Sequence, residues 1–172
     1  MQNIKILPQW HPRQTKGLFS ESMTANALLF LPSFWVKLAV REAEESTDIG
    51  LLVDYPMGNS HSAVCMNAVE VGLKYGVRAV ALTYPYGAHR SGMDWPKILM
   101  AMTSKKVHQE AVFLWMLIDV DRLPQTLWTQ AVKWMLDAGV DGLLVENLAK
   151  ENQEAIQVLE GLTSNQLDLH FL

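Results

Sequence analysis

Short, unbroken apolar runs separated by helix-length amphipathic stretches constrain this chain more than any other feature of its sequence. The runs fall at Ile4–Leu7, Leu28–Leu31, Gly50–Asp54, Arg78–Thr83, Val112–Ile118, Gly142–Val145 and Leu167–Phe171. Those in the middle are apolar at nearly every position, which a strand needs only when both faces of its sheet are covered. Between them a helical period predicts helices at Ser33–Glu45, Ser60–Tyr75, Asp94–Ser104, Pro124–Asp137 and roughly Lys150–Leu162. Strand then helix, repeated, is the pattern of a parallel α/β sheet. Two of the helix ends read alike: Tyr75-Gly76-Val77-Arg78-Ala79-Val80 and Ala138-Gly139-Val140-Asp141-Gly142-Leu143. In each, glycine stands where a left-handed C-terminal residue is wanted, and a strand follows. Ser60 and Pro124 are expected in the first turns of their helices.

A parallel sheet of this kind either stays open or closes into a barrel. The segment after the first run, Leu7-Pro8-Gln9-Trp10-His11-Pro12, has no glycine, and no GxxxxGK[ST] occurs anywhere. Both usual phosphate-cradling loops are therefore missing, and the barrel is the favoured closure. An eight-fold barrel typically takes about 250 residues. A chain of 172 residues is thus expected to form a shortened or incomplete TIM-type (β/α) barrel of seven parallel strands. No linker or low-complexity stretch divides it, so residues 1–172 are read as one domain.

Composition narrows the function classes. Hydrophobic residues make up 49% and charged ones 19%, enough for a buried core. A net charge of −4 argues against nucleic acid as a partner. Cys65 is the single cysteine, so there is no intrachain disulfide framework. The apolar runs are too short to span a bilayer, and MQNIKILPQW lacks a signal-peptide layout. A cytoplasmic protein without a membrane partner is expected.

The stretch 51–92 resembles the deoxyribose-phosphate aldolase family of class I aldolases. Leu52-Val53-Asp54-Tyr55-Pro56-Met57-Gly58-Asn59 is similar to that family's third strand and its hydrophobic-Gly-Phe-Pro-Leu-Gly-Ala loop. Tyr86-Gly87-Ala88-His89-Arg90-Ser91-Gly92 is similar to its Ile-Gly-Ala-Leu-Lys-Ser-Gly after the fourth strand, and Ala138-Gly139-Val140-Asp141 to the Ala-Gly-Ala-Asp before the sixth. The likeness runs from near Ala27 to near Glu146 and rests on the order and spacing of these motifs.

The resemblance implies a Schiff-base chemistry whose residues this chain lacks. In that family a lysine amine, depressed in pKa by a second lysine, attacks the substrate carbonyl. Aligned through the motifs, the Schiff-base lysine falls on Leu144, the other lysine on Trp115, the fourth-strand aspartate on Ala81 and the second-strand asparagine on Leu31. The segments 79–84, 112–118 and 142–145 hold no lysine at all. The chain also ends before the loops that, in the resembled family, grip a substrate phosphate. A catalytically degenerate aldolase-like protein is therefore expected.

In a βα barrel the active face lies at the strand C-termini. Those ends carry Asp54, Asp119 and Glu146, candidates for a carboxylate cluster that suits acid/base work or a divalent cation acting as Lewis acid. The plainer reading is helix capping, and Asp119 and Asp121 just before Pro124 fit it well. Candidate ligand-binding residues in the same loops are His11, Asn59, His61, Tyr84, His89, Arg90 and Asn147, with His89 and Arg90 suited to an anion. Cys65 reads as a buried small hydrophobe. Trp115, if turned inward, fills the space a substrate carbonyl would take. An incomplete barrel also leaves strand edges that invite a second copy of the chain. Three functions follow: a degenerate barrel binding a small metabolite, a carbon–carbon lyase working through a carboxylate or metal site, and a structural, oligomer-forming module.

Overall fold

The computed structural model describes residues 3–7, 27–43, 46–149, 152–164 and 166–172. Strand and helix alternate as β1 (Asn3–Ile6), β2 (Ala27–Pro32), α1 (Ser33–Glu42), β3 (Thr47–Val53), α2 (Ser62–Lys74), β4 (Ala79–Thr83), α3 (Tyr86–Arg90), α4 (Trp95–His108), β5 (Phe113–Asp119), α5 (Trp128–Ala138), β6 (Gly142–Glu146), α6 (Gln153–Thr163) and β7 (Asp168–Phe171). All seven expected strands form, every pairing is parallel, and the spatial order is the sequence order. A parallel sheet whose consecutive strands are always neighbours curls one way, placing helices outside and one face of every strand inside. The result is a nearly closed TIM-like α/β barrel. Its ends are β1 and β7, which are not hydrogen-bonded to each other among the described residues. A groove of about 560 Å³ runs beside β7, lined in part by Glu160, Thr163, Leu167 and Phe171.

Strand alternation sorts the core into two layers. Leu29, Leu51, Val80, Leu82, Leu114, Met116, Leu143 and Val145 face outward and pack with Val36, Val69, Leu99, Val132 and Leu159 of the helices. Leu28, Phe30, Leu52, Ala79, Ala81, Trp115, Leu117 and Leu144 face inward, joined by Ile4, Ile6 and Tyr55. Leu31 belongs to the outer layer, so the motif alignment that set it at an interior position is one residue out of phase; Phe30 takes the interior place.

Trp115 does turn inward. Its indole covers Gly142 on the neighbouring strand, where a Cβ would lie 2.8 Å from Cδ2 and closer still to the six-membered ring. Phe30 covers Gly50 in the same way. The two rings meet edge to face at 6.5 Å, and His170 of β7 adds its ring 5.4 Å from Trp115. Two large aromatics thus fit inside a small barrel because the strands beneath them carry no side chain. On the N-terminal side of Trp115 a cavity of about 440 Å³ remains, lined among others by Leu28, Ala79, Asp48 and Asp168.

Local differences from the sequence expectation have plain causes. The N-cap of α2 is His61, whose Nδ1 accepts the Ala63 N–H at 3.2 Å; Ser60 is engaged elsewhere. Pro124 is extended and precedes a 3-10 turn at Gln125–Leu127, so α5 starts only at Trp128. Gly139 ends α5 with φ 72° as expected. The short helix α3 was hidden by Pro85 and Gly87, which read as loop. No helix among the described residues is long and apolar enough to cross a membrane.

Candidate functional site at the strand C-termini

The inward phase of β5 and β6 ends in two acids. Asp119 and Glu146 are register partners, one step beyond the inward pair Leu117 and Leu144. Such a pair at the mouth of an apolar barrel must be neutralised or protonated, because burial penalises charge. Asp119 takes the first course. Its Oδ2 accepts from Arg122 Nε at 2.9 Å and its Oδ1 from the Asp121 N–H at 3.0 Å. Arg122 continues through Nη1 to the Pro56 carbonyl at 3.2 Å, tying the β5–α5 turn to the β3–α2 loop. Asp119 is therefore both a turn cap and the anchor of a cation at the mouth.

Glu146 has no ion-pair partner among the described residues. It is half-buried and, among the described residues, accepts one side-chain hydrogen bond, from the Tyr55 hydroxyl at 3.2 Å. Burial, reinforced by the nearby Asp119, lifts its carboxyl above the usual carboxylate range against the pull of Tyr55 and Arg122. The Tyr55 phenol is raised too, first by burial and then by Glu146 itself. The mouth thus holds a carboxyl whose pKa burial raises, a phenol, and a guanidinium already paired to a carboxylate. Such a set hydrogen-bonds oxygen functions from both donor and acceptor sides.

Asp54 stands apart from this group. Its backbone is left-handed (φ 58°), and its carboxylate accepts from the Ser60 N–H at 2.7 Å and the Ser60 hydroxyl at 2.6 Å. It folds the β3–α2 loop back on itself. Among the described residues no three acid, histidine or cysteine side chains are grouped as metal ligands.

The candidate ligand residues scatter. Asn59 and His61 do share a groove of about 490 Å³ on the outer rim, with Ser91, Met93 and Trp95. Tyr84 and His89 are buried in the helix layer instead. The Tyr84 hydroxyl lies 2.7 Å from His89 Nδ1, and His89 Nε2 lies 2.8 Å from the Gln130 Oε1 acceptor, so the hydroxyl donates to Nδ1. The His89 ring also packs on Trp134 at 4.6 Å. Arg90 is exposed on α3 and Asn147 exposed beyond β6. His11 lies outside the described residues. Cys65 is buried, and burial pushes its thiol up to about 11. Sequence reasoning missed Tyr55 and Arg122. Tyr55 sits where the resembled loop has phenylalanine, and its extra hydroxyl was the signal; Arg122 had none beyond its position three residues after Asp119.

No known family profile and no curated protein sequence matches this chain. Solved structures do. An aldolase called QR15 superposes with a TM-score of 0.84 at 12% identity, over 98% of this chain and 77% of that one. The tetrameric deoxyribose phosphate aldolase of Aeropyrum pernix gives 0.81 at 10% identity, over 98% and 73%. The fold is that of deoxyribose-phosphate aldolases.

Proposed function

Starting from an aldolase-type barrel, we propose that this chain binds a small carbonyl or hydroxyl metabolite at its C-terminal mouth and forms no imine with it. The observation that carries the reading is Glu146: a half-buried carboxyl with a raised pKa, beside the Asp119–Arg122 pair and above an interior occupied by Trp115 and Leu144. At the levels where a condensing amine would be needed, β5 and β6 present an indole and an isobutyl group. A ligand oxygen is held by Glu146 and by the free edge of the Arg122 guanidinium, while the aromatic floor keeps it from descending. Asp119 positions Arg122. Asp54 shapes the loop.

The test has two arms. Borohydride reduction in the presence of glycolaldehyde is expected to leave the mass of the protein unchanged, and a covalent adduct would overturn the absence of an imine. In titration calorimetry, glycolaldehyde or glyceraldehyde is expected to bind, with Glu146→Leu weakening binding by up to about tenfold, since a neutral hydrogen bond contributes about 0.5–1.5 kcal/mol. Equal binding by wild type and variant would remove the mouth from consideration.

The inward Trp115 supports a second reading, a structural module that pairs with a second copy through the edges of β1 and β7, which have no strand partner among the described residues. Sedimentation equilibrium decides this: a mass that stays monomeric across a hundredfold concentration range excludes it.

A further inference from the structure

The N-terminal face of a barrel ordinarily serves stability, with the interior filled by layers of side chains. Here a cavity of about 440 Å³ lies on that side of Trp115. Ala79 of β4 lines it with only a methyl group. Phe113 lines it too, on the same inward phase of β5 as Trp115 and Leu117. It is 61% exposed, although every later residue of that strand is buried. An aromatic ring left in water at the edge of a cavity has no packing reason to be there, and burying it against a ligand would be favourable.

Charge divides the same cavity into two sides. Its lining includes three carboxylates, Asp48, Asp141 and Asp168, against one guanidinium, Arg78. Arg78 Nε lies 4.0 Å from Asp48 Oδ1, so these two offset each other where β3 meets β4. The excess negative charge therefore sits with Asp141 and Asp168. The Asp168 N–H donates to the Asp141 carbonyl at 3.0 Å, which sets the two residues side by side. Among the described residues their ion-pair partners are imidazoles: His108 Nε2 lies 2.8 Å from Asp141 Oδ2, and His170 Nε2 lies 3.3 Å from Asp168 Oδ1. Asp141 also accepts the Leu114 N–H at 2.7 Å, which commits it to the fold. Asp168 has no such second task, and its side chain is 67% exposed.

The aromatic wall reaches this negative side. Trp115, Gly142 and Asp168 form one register row across β5, β6 and β7, and the indole lies over Gly142 in the middle of it. The His170 ring, 5.4 Å from the indole, carries the nitrogen that meets Asp168. Aromatic rings attract cations and pack on the hydrocarbon that bears them, and a carboxylate accepts strongly from an ammonium. An anion would meet the excess charge of its own sign. A bare metal ion needs several converging ligands, and no such group of acids, histidines or cysteines occurs among the described residues. We infer that the cavity binds a primary ammonium carrying an aryl body, with its head on Asp168 and its body against Trp115 and Phe113. This site is on the face opposite the mouth and stands independently of the reading given for the mouth.

Three probes with one ring and one chain pattern test it by titration calorimetry on the full chain: phenethylamine, 2-phenylethanol and 3-phenylpropionate. The amine is expected to bind, the alcohol to bind about tenfold more weakly, and the carboxylate not to bind. Asp168→Asn is expected to fold, because the side chain is largely exposed, to weaken the amine by about tenfold and to leave the alcohol as it was. Asp168→Glu keeps the charge and retains amine binding. Phe113→Ser weakens amine and alcohol alike. Absence of amine binding would overturn the inference, as would a carboxylate or alcohol that binds as tightly as the amine. So would an amine affinity unchanged in Asp168→Asn, an equal loss there for amine and alcohol, or unchanged affinities in Phe113→Ser.

Discussion

Gly142→Ala tests the packing on which the interior argument depends. In a strand, replacing glycine by alanine on its own stabilises by about 0.5–1 kcal/mol, because the unfolded chain loses freedom. Gly142 has no left-handed backbone to oppose that gain. The structure reverses the sign. A Cβ at this position would press into the Trp115 indole, 2.8 Å from Cδ2 and nearer to the ring beyond it. Cδ2 lies close to the root of the side chain, so no small rotation clears it, and Phe30 and His170 flank the ring at 6.5 Å and 5.4 Å. Overpacking of this kind costs about 1–3 kcal/mol. For a domain of this size that lowers Tm by about 3–10 °C, read by circular dichroism or calorimetry. Trp115→Leu alone also destabilises, through lost burial and a cavity. In the double variant the methyl enters space the indole has left, so the two losses should be less than additive by about 1–2 kcal/mol in urea denaturation. A Gly142→Ala protein as stable as wild type, or additivity of the pair within about 0.5 kcal/mol, would show that the indole is not against this strand.

Three further outcomes follow from individual contacts. Because burial raises the Glu146 carboxyl, the folded state holds its proton more tightly than the unfolded chain; that favours folding in acid and is lost as pH rises through the folded value. Glu146→Gln should therefore raise Tm at pH 7, with the gain closing toward about pH 4, and a constant gain across the range would contradict the assignment. Tyr84→Phe leaves His89 Nδ1 unpaired in the core and should cost about 1–3 kcal/mol in urea denaturation. Cys65, buried with its thiol pushed up to about 11, should resist iodoacetamide at pH 8 in the native protein and react in urea, by mass spectrometry.

Some of this molecule was readable before any fold was known. Unbroken apolar runs such as Val112–Ile118 suit strands covered on both sides, and the glycines at 76 and 139 mark where helices stop, so strand count and a parallel sheet follow from local chemistry, with the barrel the favoured closure. Burial of Cys65 and the lack of lysine in the segments 79–84, 112–118 and 142–145 needed no coordinates either. Which acids meet did need them. Asp54, Asp119 and Glu146 look alike at strand ends, yet the left-handed turn at Asp54 aims its carboxylate at Ser60 while register brings the other two together. Likewise His89 sits in a loop-like stretch that folds into a short helix, which brings its ring to the Tyr84 hydroxyl, and Tyr55 finds Glu146 across 91 positions of sequence. Periodicity is a property of neighbours along the chain; proximity across a barrel mouth depends on how far seven strands curl and on which glycines leave room for Phe30 and Trp115, and that is settled only when the sheet packs.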